Sequence, residues 1–205
     1  MALAALIVFA VFALVAGGAR VVIQRRRTGD TGIRQFRPVP GSLQWWAHWG
    51  FVVGGLVTGL GAPLADLAGL APVPLVDRPA VTATGAVIAV VGVAATFAAQ
   101  LAMGASWRIG VDDTERTRLV TTGVFACVRN PIFTAMLATF AGLALMVPNP
   151  VAIIGYALLL AGVQAQVRAV EEPYLQQVHG HAYTAYTAQV GRFVPGVGRR
   201  RQPQR

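Results

Sequence analysis

Five apolar stretches constrain this chain more than any other feature: residues 3–23, 45–67, 80–103, 131–147 and 150–167 are almost free of charge. In lipid no water pairs with open backbone N–H and C=O groups, so ~20 apolar residues cross only as an internally bonded helix. Hydrophobic residues make up 55% of the sequence, and the five stretches leave little chain for a separate soluble body. The fold class expected is all-α: a polytopic integral membrane protein with about five transmembrane helices and a C-terminal cytoplasmic helical segment. Pro63 and Asp66 interrupt the second stretch, so its outer end is expected to be irregular. The whole of 1–205 reads as one membrane domain, with a three-helix scaffold over 1–103, a functional half over 104–195 and a basic tail over 196–205.

The net charge of +9 comes from 17 basic residues, all of them arginine. Such a balance suits nucleic acid, but the placement argues against that partner. Arg20, Arg25, Arg26, Arg27, Arg34 and Arg37 follow the first stretch; Arg108, Arg116, Arg118 and Arg129 lie between the third and fourth; Arg192 to Arg205 follow the fifth. Only Arg78 falls in a loop of the opposite set. The positive-inside rule then sets the N terminus outside and the C terminus in the cytoplasm, in a cell inner membrane. Trp45, Trp46, Trp49 and Trp107 fall at the cytoplasmic borders, as an interfacial aromatic belt does. The first stretch has no charged region ahead of it, so it reads as a retained helix rather than a signal peptide. The single cysteine, Cys127, excludes an internal disulfide and reads as a small buried filler.

Gly50, Gly54, Gly55 and Gly59 give small-xxx-small spacings suited to close helix approach. A phosphate-binding loop would need a preceding strand, and the flanks here are membrane helix. The polar loop 25–42 reads as a contact with anionic headgroups. The loop 104–129 carries Asp112, Asp113 and Glu115. Val147-Pro148-Asn149-Pro150 allows only a tight hairpin, with Asn149 capping the fifth helix and Pro150 in its first position. That hairpin makes neighbours of two cytoplasmic helix ends, which carry residues 130–133 and 168–172.

These ends hold the polar chemistry. Asn130-Pro131 is a helix start, whose N–H groups and positive dipole end suit a carboxylate or phosphate. Gln164, Arg168, Glu171 and Glu172 are spaced to share one helix face, and Pro173 predicts a bend just beyond them. A charge near the membrane centre costs ~3 kcal/mol, so this density exceeds what anchoring requires. His179-Gly180-His181 offers two metal ligands without an evident third, and Gly180 reads more simply as a helix C-cap. No metal site is expected. Tyr174, Tyr183 and Tyr186 read as interfacial packing residues whose hydroxyls could line a polar pocket.

The last hundred residues resemble the isoprenylcysteine carboxyl methyltransferase and phospholipid methyltransferase superfamily of membrane enzymes. The resemblance runs in order through Ser106-Trp107-Arg108, Leu119-Val120-Thr121-Thr122-Gly123-Val124-Phe125, Arg129-Asn130-Pro131-Ile132-Phe133 and Glu171-Glu172-Pro173-Tyr174-Leu175. It closes with Gly180-His181-Ala182-Tyr183, Tyr186 and Arg192-Phe193-Val194-Pro195. It implies a methyltransferase that takes S-adenosylmethionine on the cytoplasmic side and acts on a lipophilic small molecule or lipid entering from the bilayer. Carried over by position, Arg118, Leu119, Val120 and Phe125 line the cofactor pocket, and Asn130, Pro131, Ile132 and Phe133 meet the cofactor at the start of the fourth helix. Glu172, with Glu171 beside it, binds the cofactor's polar groups, and Arg168 faces the methyl acceptor; Arg168 and Glu172 are the catalytic candidates. Asn130 stands where the family has His, and Phe125 and Phe133 lack the usual tyrosine hydroxyl. An amide does not titrate, so Asn130 is expected to act through its backbone. With no base evident, an acceptor already ionised, a carboxylate or thiolate, fits best.

Two other classes stay open on the residues. A sterol-reductase-like enzyme would bind NADPH and need a larger basic site for the extra phosphate. A non-enzymatic scaffold or lipid-binding protein would bind neither cofactor. The sequence defines neither the acceptor nor the oligomeric state.

Overall fold

A computed structural model describes residues 1–33, 38–108 and 118–200 of the chain. Asp112, Asp113, Glu115 and Arg116, together with Arg34, Arg37, Arg201 and Arg205, lie outside the described residues. Five helices carry the architecture: α1 (Ala2–Thr28), α2 (Leu43–Leu67), α3 (Pro79–Ala102), α4 (Pro131–Met146) and α5 (Pro150–Gln189). Four of them, α1, α2, α3 and α5, are long and apolar enough to cross a membrane. The fourth stretch forms a helix of 16 residues, about 24 Å at 1.5 Å per residue and short of a ~30 Å hydrocarbon core. The described residues contain no strand; Val128 and Gly191 form an isolated bridge. The chain is an all-helical integral membrane protein.

Glycine lets these helices approach to backbone contact. A Cβ on Gly54 of α2 would stand 2.8 Å from the Gly155 carbonyl of α5, and one on Gly162 would stand 2.9 Å from the Ala47 carbonyl. The α3–α4 pair repeats the device, with Gly85 meeting the Gly142 carbonyl at 2.8 Å. Gly50 and Gly54 of α2 therefore sit inside a helix pair, while Gly55 and Gly59 face the rings of Phe140 and Phe9. Phe140 of α4 receives the edges of Phe9 and Phe12 from α1, which seats the N-terminal helix on the core. Leu143, Met146, Leu159 and Val163 fill the space between the two pairs.

Three π-type turns widen the helices, over Ala13–Ala19 in α1, Val57–Gly61 in α2 and Gln166–Glu171 in α5. The irregularity expected near Pro63 takes this form. Pro63 has no N–H for the carbonyl four residues back, the turn before it widens, and the helix then runs on to Leu67. Asn149 is fully buried in the α4–α5 hairpin. Its Oδ1 accepts from Ala152 N (3.0 Å), and its Nδ2 donates to the Ala62 carbonyl (2.9 Å). One side chain thus caps α5 and ties α2 to the turn, which brings the other ends of α4 and α5 together.

Candidate active site

The site begins where α5 stops being a regular helix. The widened turn Gln166–Glu171 is followed at once by Glu172 and Pro173, so the register shifts just before the acidic pair. This shift separates residues that the i, i+4 spacing puts on one face. Glu172 is buried, Glu171 is half-buried, and Arg168 is exposed with its Nε donating to Gln164 Oε1 (3.0 Å). Pro173 itself makes no corner: like Pro63 it follows a widened turn, which takes up the N–H bond it cannot make, and the helix runs on. The chain turns later, at Gly180, whose φ of 51° and ψ of −121° are non-helical. That conformation suits glycine, and it makes Gly180 a corner inside α5 rather than the cap at its end. Gln176 Nε2 spans the corner to the Gly180 carbonyl (3.1 Å) and Thr184 Oγ1 (3.0 Å). His179 is half-buried and His181 exposed on either side of it.

Glu172, 1% exposed, is the centre of an arginine cluster. Its Oε1 accepts from Arg129 Nη2 (2.8 Å) and Arg192 Nε (2.7 Å). Its Oε2 accepts from Arg192 Nη2 (2.9 Å) and Arg200 Nη2 (2.7 Å). Arg192 is thus held bidentately, and donating to the Glu172 carboxylate raises the pKa of its guanidinium above the ordinary value. Arg129 also donates through Nη1 to the carbonyls of Val190 (2.8 Å) and Thr187 (3.2 Å), just where α5 ends and its dipole is negative. Its Nε is buried without a partner. Three guanidinium groups against one carboxylate leave this corner with surplus positive charge.

The segment 190–200 straps the start of α4 to α5. Arg129 N donates to the Gly191 carbonyl (2.8 Å), Asn130 N to the Arg192 carbonyl (3.1 Å), and Thr134 Oγ1 to the Phe193 carbonyl (2.9 Å). Asn130 occupies the capping position of α4 but makes no side-chain cap. Its Nδ2 donates instead to the Arg192 carbonyl (3.1 Å), which already receives its backbone N–H. Both donors of Asn130 therefore serve the strap. Intrahelical bonding begins with Thr134 N to the Asn130 carbonyl (2.9 Å), so Ile132 and Phe133 carry the open N–H groups of the first turn.

The aromatic candidates divide between two cores. Phe133 lies against the main core, edge-on to Phe51 with centroids 6.2 Å apart. Phe125 is buried in the short helix Val124–Cys127, and its carbonyl accepts from the Tyr186 hydroxyl. Tyr183, Tyr186 and Val190 form a second cluster with Leu119 and Leu175 against it. Val120 is half-buried, Arg118 is exposed, Pro131 is buried and Ile132 half-buried. Cys127, expected as a buried filler, is exposed, because it ends a one-turn helix that turns Phe125 inward.

Sequence reasoning gave no role to Arg129, Arg192 and Arg200, which organise the corner. Their signal was present: a carboxylate buried at a membrane border needs cations, and two arginine-bearing segments flank it in the topology.

The segments that carry this layout are similar to known proteins. A family model described as phospholipid methyltransferase matches residues 80–182, which takes in α3, α4 and α5 past the Gly180 corner. Protein-S-isoprenylcysteine O-methyltransferase B of Arabidopsis thaliana is 34% identical over 83 residues, 40% of this chain and 42% of its own. Protein-S-isoprenylcysteine O-methyltransferase A of the same plant is 31% identical over 115 residues, 55% of this chain and 58% of its own. The chain thus matches about half the length of these relatives. A solved structure of the eukaryotic intramembrane Ras methyltransferase ICMT (isoprenylcysteine carboxyl methyltransferase) superposes with a TM-score of 0.63 at 20% identity, over 93% of this chain and 66% of that one. That likeness extends the common fold to α1 and α2, which lie ahead of the family match.

Proposed function

This chain belongs to the phospholipid methyltransferase family, and we propose that it transfers a methyl group from S-adenosylmethionine to a lipophilic or amphipathic acceptor at the cytoplasmic face of the membrane. The observation that carries the reading is the meeting of the α4 start with Glu172 under the 190–200 strap. The donor set fits the cofactor. An anionic carboxylate suits the surplus guanidinium charge, the unpartnered Arg129 Nε and the first-turn N–H groups of Ile132 and Phe133. A cationic ammonium suits Glu171, which no guanidinium holds in an ion pair among the described residues. Glu172 serves the same pocket, but a cation reaches its oxygens only by displacing a guanidinium. Arg200, the most exposed of the three, is the one that yields. Arg118, Leu119, Val120 and Phe125 form one wall, and Asn130 and Pro131 the floor beneath the helix start.

When bound, the cofactor supplies a methyl group on a sulfonium, so the protein need only align donor and acceptor and exclude water. Arg168 is exposed one turn before Glu172 on α5, its Nε bonded to Gln164 Oε1. There it holds an ionised acceptor, a carboxylate or thiolate, whose lone pair takes the methyl with no proton to remove. The plant relatives named for isoprenylcysteine give this acceptor class its precedent.

The test is incubation of the purified chain in lipid nanodiscs with methyl-labelled S-adenosylmethionine and fractionated membrane lipids, followed by mass spectrometry. A labelled lipophilic product is expected, alongside saturable cofactor binding by calorimetry. Binding of NADPH in place of S-adenosylmethionine would overturn the reading in favour of a reductase. Binding of neither would leave a scaffold.

A further inference from the structure

Glu172 accepts bonds on both oxygens, but its three arginines do not hold it equally. The Arg129 side chain is 2% exposed and also bonds the carbonyls of Thr187, Val190 and Gly198. Arg192 grips both carboxylate oxygens and is 16% exposed. Arg200 makes one side-chain bond among the described residues, Nη2 to Oε2 (2.7 Å), and is 44% exposed. Its backbone is fixed, since Arg200 N donates to the Thr187 carbonyl (2.9 Å) near the end of α5. The Arg200 guanidinium can therefore leave Oε2 by rotation of its own side chain, with the strap in place. Its departure breaks one charge-assisted bond, whereas either other arginine would give up several.

A simple cation that takes Oε2 sends this guanidinium away without a partner, into a corner that already carries surplus positive charge. An α-amino acid head does not. Its ammonium and carboxylate share one carbon, so a carboxylate stands beside whatever oxygen the ammonium has reached. One ion pair, Arg200 with Glu172, is then exchanged for two: ammonium with Glu172 and carboxylate with Arg200. The head is neutral overall, so the charge of the corner stays as it was. S-adenosylmethionine carries such a head, and the assignment of Arg200 to it rests on the methyl-transfer reading.

We propose that Arg200 is a cofactor-binding residue: it pairs with Glu172 until the cofactor arrives, then turns to hold the cofactor carboxylate, so that the pocket selects an intact amino acid head. Calorimetry of the full chain in nanodiscs, with S-adenosylmethionine and with its decarboxylated analogue, tests it. The two ligands differ in that carboxylate. The native chain is expected to prefer S-adenosylmethionine, and Arg200→Ala to cut that preference about tenfold, as for one charge-assisted hydrogen bond. The ratio isolates the carboxylate, because both ligands gain alike when Glu172 loses its guard. The decarboxylated ligand should bind Arg200→Ala as tightly as it binds the native chain or more tightly, which also shows that the variant is folded. Arg200→Lys should keep part of the preference. Arg199→Ala removes an equal charge from an exposed neighbour and should keep all of it. An unchanged preference in Arg200→Ala would overturn the proposal. So would an equal fall in Arg199→Ala, since the effect would then be one of net charge. Saturable binding of neither ligand by the native chain would sink the methyl-transfer reading, and the role of Arg200 with it.

Discussion

The two buried arginine clusters solve the same problem in opposite ways. At Arg20 a single guanidinium is buried with no carboxylate among its bonded partners; carbonyls of the 100–104 segment and the face of Trp107 hold it. At Glu172 a single carboxylate is buried under Arg129, Arg192 and Arg200. The first arrangement solvates the cation with dipoles and a ring quadrupole, which stabilise its charge without cancelling it. The second overshoots, and its surplus lies beside an open helix start. A cation whose bonds all go to the neighbouring helix and its turn ties helices together; one beside an open helix start can also recruit a charged ligand.

The comparison breaks most sharply at Glu172. Glu172→Ala leaves three guanidinium groups facing one another without their carboxylate, and removing one partner of a buried ion pair costs about 3–5 kcal/mol. Thermal unfolding in detergent should show the largest drop of any single change here, with S-adenosylmethionine binding lost by calorimetry. A folded variant with native cofactor affinity would remove Glu172 from the site. Arg129→Lys comes next. A lysine keeps the charge but cannot reach Glu172 and the carbonyls of Thr187, Val190 and Gly198 together. Losing bonds of this kind costs about 1–3 kcal/mol, and cofactor binding should weaken about tenfold or more. Arg20→Lys is the matching change in the other cluster. It gives up planar stacking on Trp107 and one of two carbonyl bonds, a cost of about 1–2 kcal/mol. Cofactor affinity should stay at the native value, and a shift there would dissolve the distinction between the two clusters.

Much of this was legible in the sequence, for reasons that differ by region. Apolar length marked the helices, because the bilayer allows no other way to hide a backbone. Asn149 between two prolines announced its own cap and hairpin. Arg129-Asn130-Pro131 announced a helix start, though not that the strap carbonyl of Arg192 would outcompete the cap for the Asn130 amide. Pro173 signalled an irregularity but not its form: the turn before it, Gln166–Glu171, widens as Val57–Gly61 does before Pro63. That turn is what parts Arg168 from Glu172. Arg20 was counted as a positive-inside marker, and nothing in composition distinguishes an arginine facing headgroups from one folded back over a tryptophan. Pairings across 43 or 62 residues are set by topology, and spacing rules reach only one or two helical turns.

The smallest effect on stability, and the finest test of the division of labour, belongs to Arg168. Its side chain is exposed and its recorded bond is to Gln164, a neighbour on its own helix. Surface changes of this kind stay within about 0.5 kcal/mol of the native stability. Arg168→Ala should therefore unfold with the native chain and bind S-adenosylmethionine with native affinity. If the guanidinium holds the acceptor's anion, its loss should raise KM for the acceptor about tenfold, as for one charge-assisted hydrogen bond, while Arg168→Lys recovers part of it. A fall in kcat with KM unchanged would mean that Arg168 acts on the transferred group and not on binding. A loss of cofactor affinity would mean that the π-type turn does not part the two ends of the site after all, and that Arg168 and Glu172 work as one unit.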